Sequence, residues 1–159
     1  MEKNNEIDVF KLEKKINELD AKFNINHGGC CFVSYCIAKY CEKNNIKYKC
    51  CISNYRCKLS EILEDNDIEN HQKIKKIFCK DKAKIKNFDC RLFCRWFGVQ
   101  HFFIKIKDIP INKWIINDYF ETDFDSKKLL ELYKKANWNP AFDKNNASEI
   151  DKEIRKCFD

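Results

Sequence analysis

Glycine and proline are nearly missing from this chain, at three and two of 159 residues. So few chain-breakers exclude Pro-rich, collagen-like and Gly/Ser-linker architectures and leave no join between separate domains. No apolar run approaches the ~20 residues that a membrane-spanning helix needs. The opening Met-Glu-Lys-Asn-Asn-Glu lacks the basic-then-apolar order of a secretory signal. Among eleven cysteines there is no Cys-x-x-Cys pair, which is the usual spacing of a structural zinc site. Their odd number also argues against a secreted disulfide framework. These absences predict a cytoplasmic protein with reduced thiols, no membrane contact, no metal and no cofactor.

What is present is apolar side chain in quantity. Hydrophobic residues make up 44% of the chain, with thirteen Phe, enough to bury the core of one domain over residues 1–159. Ile7, Phe10, Leu12, Ile16, Leu19 and Phe23 recur at three- and four-residue steps and predict a first amphipathic helix. Val33, Cys36, Ile37, Tyr40 and Cys41 predict a second from about 29 to 43, stopped by Asn44-Asn45. Residues 46–52, 99–107 and 111–118 alternate with period two and read as strands, the last two forming a hairpin turned at Asp108 to Pro110. Short helices are expected between 53 and 89, then near 126–135 and 147–157. The expected fold class is therefore α+β, with helices packed on a small antiparallel sheet.

Two of the three glycines fall in Asn26-His27-Gly28-Gly29-Cys30-Cys31-Phe32-Val33-Ser34, directly before a cysteine at a helix start. Unpaired N–H groups and the positive end of the helix dipole stabilise a thiolate there. Helical spacing puts Cys30 on the face of Val33, Ile37 and Cys41, looking into the fold, and Cys31 about 100° round on a wetter side. Of the three histidines, His101 opens an apolar strand and is the candidate base. A hairpin centred between Ile109 and Pro110 sets His101 opposite Asp118, and a one-residue slip sets it opposite Asn117. Either residue type can orient an imidazole.

Cys30, His101 and Asp118, in that order, resemble the papain-like cysteine peptidase superfamily, especially its transglutaminase-like branch, over roughly residues 24–53 and 97–120. The resemblance implies a papain-like core with the nucleophile at a helix N-terminus. It also implies a thiol-dependent hydrolase or acyltransferase acting on an amide or peptide bond of a protein or peptide substrate. Asn24 stands where papain-like enzymes carry an oxyanion-donating Gln six residues before the nucleophile.

Two other readings follow from the same residues. The net charge is +6, and Lys73, Lys75, Lys76, Lys80, Lys82, Lys84 and Lys86 crowd a segment holding one acid, Asp81. A catalytically silent module of the same fold would use Lys73–Lys86 to bind an acidic protein or nucleic acid. The plainest reading takes Gly28-Gly29 as a loop before a helix and the paired cysteines as core filler.

Overall fold

A computed structural model of the chain describes residues 6–54, 100–113, 119–122, 124–135 and 142–159. Helix α1 (Val9–Phe23) starts where Asp8 caps it, the carboxylate accepting the backbone N–H of Phe10 and Lys11 at 3.1 Å. Its buried stripe is Val9, Leu12, Ile16 and Leu19. It ends at Asn24, which adopts a left-handed φ of 56° and donates its backbone N–H to the Asp20 carbonyl. Asn24 is thus a helix C-cap, a role Asn fills because it tolerates that conformation.

Helix α2 (Cys30–Lys43) buries residues on nearly every side, including Cys30, Cys31, Val33, Cys36, Ile37, Ala38 and Cys41. A helix apolar all round must be covered all round, and three layers do this. The sheet lies on one side of α2, α3 (Ser126–Lys135) on another, and α4 (Ala147–Lys156) on a third. Asp151 of α4 ties the last contact, accepting from Lys39 Nζ at 2.7 Å and Tyr40 Oη at 2.8 Å.

Four antiparallel strands form the sheet in the order β3 (Ile109–Ile111), β2 (Gln100–Ile106), β1 (Tyr48–Asn54), β4 (Tyr119–Thr122). The described fold is α+β, helices on an antiparallel sheet, as the sequence predicts. One buried cluster runs through α1, α2, β1, β2, β3, α3 and α4. The Lys73–Lys86 segment, and residues 55–89 where the short helices are expected, lie outside the described residues.

The hairpin departs from expectation. Ile104 pairs with Ile111, Lys105 with Pro110 and Ile106 with Ile109, so the turn is the two residues Lys107-Asp108. Both have positive φ, 51° and 62°, the backbone of the tight turn that matches strand twist. Pro110 sits inside the edge strand β3, where a missing N–H costs no ladder bond. Asn112, with φ 65°, ends that strand immediately. A single strand over 111–118 is therefore not what forms: β3 stops at Ile111, and the next strand, β4, pairs with β1 instead.

Candidate functional site

The glycines at the entry to α2 have conformational reasons to be there. Gly28 sits at φ 86°, where a side chain is strained. A Cβ on Gly29 would fall on the Phe142 ring and within 2.5 Å of the Ile25 carbonyl oxygen. Phe142 is buried in the core cluster and packs on the Phe32 ring, with centroids 5.9 Å apart. Gly-Gly therefore lets the loop turn and lets Phe142 close over it.

Cys30 begins the first turn of α2, as expected, and is 4% exposed. Cys31 departs from expectation, since it is fully buried and its thiol donates to the Leu129 carbonyl at 3.3 Å. The side of α2 that looked wet from helical spacing is the one α3 covers.

Strand alternation decides where His101 points. Phe102, Ile104 and Ile106 on β2, with Cys50 and Ile52 on β1, belong to the cluster that contains Cys30. Phe103 and Cys51 are directly paired and equally buried, yet lie outside that cluster, on the opposite face of the sheet. His101 shares the face of Phe103, their rings stacked with centroids 6.0 Å apart. The sheet backbone thus lies between the His101 ring and the layer holding Cys30.

A polar network fixes the His101 ring. Its Nε2–H donates to the backbone carbonyl of Asn112, which assigns the tautomer because a carbonyl can only accept. Asn112 is held in turn by Asn26, their amides exchanging bonds of 2.8 and 2.9 Å, and by Glu13, whose carboxylate accepts the Asn112 N–H at 2.9 Å. Burial pushes the imidazole pKa down to about 4, against the weaker opposite effects of the Asn112 bond and Asp20. His101 is neutral at physiological pH and holds the end of β3 at Asn112, whose amide in turn ties it to Asn26 in the loop between α1 and α2.

Asp118 and Asn117, the candidates for a third member, lie outside the described residues. The register that would bring either beside His101 is not the one formed: Ser53 lies opposite His101 on β1, and the hairpin pairs residues whose numbers sum to 215 (104 with 111), not 219. Hence the structure brings Cys30 to a helix N-terminus, turns His101 to the other face, and says nothing of Asp118.

The other thiols behave as apolar filling. All seven described cysteines are buried, none in a disulfide. Desolvation raises the pKa of Cys41 and Cys51 to about 12 and lifts Cys36 and Cys50 well above the ordinary range. Among the described residues, no group of three or more His, Cys, Asp or Glu could hold a metal ion.

A feature missed in the sequence lies at the far end of α2. A groove of about 550 Å³ is lined by Ile46, Lys47, Tyr48, Lys49, Lys105, Lys107 and Asp108. Its signal was legible in Lys47-Tyr48-Lys49 and Lys105-Ile106-Lys107, two Lys-x-Lys stretches that antiparallel pairing sets side by side.

No helix among the described residues is long and apolar enough to cross a membrane. Compared with known proteins, the chain matches no family model, no curated protein and no solved structure.

Proposed function

We propose that this chain is a binding domain that performs no covalent chemistry and grips a partner rich in negative charge, a nucleic-acid strand or an acidic protein surface. The observation that supports this reading is the orientation of His101, whose imidazole bonds Asn112 and shares the face of Phe103, opposite the face of β2 that packs toward α2. Positive charge supplies the binding, through the net +6 and the lysines of 73–86. Buried thiols outside any disulfide fit a reducing compartment, the cytoplasm.

Fluorescence anisotropy with a labelled 20-nucleotide single strand and with polyglutamate tests the reading. The expected result is binding at low salt that weakens steeply as salt rises and is reduced when Lys73, Lys75, Lys76 and Lys80 become Gln. Absence of binding to both polyanions at 20 mM salt would overturn it.

A second reading is a thiol-dependent hydrolase or acyltransferase of papain-like or transglutaminase-like fold using Cys30, His101 and Asp118. The observation in its favour is Cys30 in the first turn of α2 beside two glycines, with a helix packed on an antiparallel sheet. It requires the ring of His101 to reach the opposite face of the sheet, and it predicts one cysteine reacting far faster than the rest.

A further inference from the structure

Like charges directly across an antiparallel pair repel, and β1 and β2 place Lys49 opposite Lys105. Glu121 of β4 resolves that conflict by taking both ammonium groups, Lys49 at 2.9 Å and Lys105 closer still. One position beyond the last pair, Tyr48 with Ile106, stand Lys47 and Lys107. These two line the same groove and are exposed. Among the described residues no ion pair to either is formed, and Asp108, the carboxylate that lines the groove, lies 3.8 Å from Lys105. The groove thus holds, beyond the lysine pair bridged by Glu121, two further exposed lysines, one preceding β1 and one in the β2–β3 turn. Half-buried Ile46 supplies apolar surface beside them, Tyr48 lines the groove while its hydroxyl donates to Glu42, and the volume is that of a small-molecule site.

We propose that this groove binds a nucleotide phosphate, the anion held between Lys47 and Lys107, with the ring against the apolar groove wall at Ile46. The proposal rests on the binding-domain reading and gives it a site. The same phosphate can come from a free nucleotide or from a nucleic-acid strand.

Two probes separate these sources: adenosine monophosphate by calorimetry, and a labelled ten-nucleotide single strand by anisotropy. Each is measured on the wild type, on Lys47→Gln/Lys107→Gln, and on Lys22→Gln, whose partner Glu149 lies outside the groove. All three lysines are exposed, and equal thermal midpoints verify that the fold is intact. The expected result is that the double variant binds at least one probe about tenfold more weakly, the upper range for two exposed ion pairs, while Lys22→Gln matches the wild type. If the strand is the ligand, the salt slope also falls by about 1.4, two phosphate contacts' worth. Loss confined to the mononucleotide identifies a free nucleotide as the source. Equal binding by the double variant and the wild type overturns the groove but leaves the binding domain standing, its polyanion site then lying elsewhere. Failure of both probes to bind the wild type overturns the groove, and failure of every polyanion overturns the broader reading too.

Discussion

Acid should unfold this protein partly through one side chain. His101 titrates near 6.5 when exposed and near 4 in the fold, where burial disfavours the imidazolium. The folded state binds the proton less tightly than the unfolded one. The resulting stability is therefore fully present above about pH 6.5 and is lost as pH falls toward 4. The shift corresponds to about 3 kcal/mol in all, of which about 2 kcal/mol is gone by pH 5. Carboxylates add little in that window, because Glu42, Glu121 and Asp151 have pKa values lowered further from their ordinary ones. Urea unfolding at intervals from pH 7.5 to 5, on the wild type and on His101→Gln, measures the effect as a difference in slope. The amide of Gln retains a donor for the Asn112 carbonyl but does not titrate. Wild-type stability that is flat over the window, or the same fall in both proteins, would refute the burial argument. An imidazolium paired with a thiolate would have its pKa raised, and stability would then grow as pH falls.

Gly29→Ala should destabilise the fold by ~1–3 kcal/mol, the usual cost of overpacking, because its methyl meets the Phe142 ring and the Ile25 carbonyl; a urea midpoint equal to the wild type would remove the packing reason for that glycine. Asp108→Gly should stabilise by about 1 kcal/mol, since Asp108 holds φ 62° in a two-residue turn. An unchanged or lower midpoint would mean the turn is not strained at that position.

The helices were legible in the sequence because three- and four-residue steps survive tertiary context. Leu12, Ile16 and Leu19 are buried as their spacing requires, and α3 occupies the expected residues 126–135. The hairpin was misread by four positions in its register sum, since Pro110 advertises a turn while Lys107-Asp108 carries no Gly or Asn to mark the real one. That shift removed the reason to place Asp118 beside His101. The burial of Cys31 was illegible for another reason: spacing within α2 says which residues share a face, and nothing in residues 30–43 says that α3 returns to cover it. The face of His101 depends on which side of β2 meets α2. Phe102 and Phe103 are equally apolar, so the sequence offers the core either side, and the choice is made by packing among distant segments.

The central proposal is that Cys30 serves as a core residue, its reactivity set by burial and not by the imidazole on the opposite face of β2. Alkylation by iodoacetamide at pH 7.5, followed cysteine by cysteine by mass spectrometry, tests it most directly. The account predicts that Cys30, at 4% exposure, reacts more slowly than an unhindered thiol, and at the same rate in the wild type and in His101→Gln. A single fast thiol that maps to Cys30 and slows in His101→Gln would contradict it.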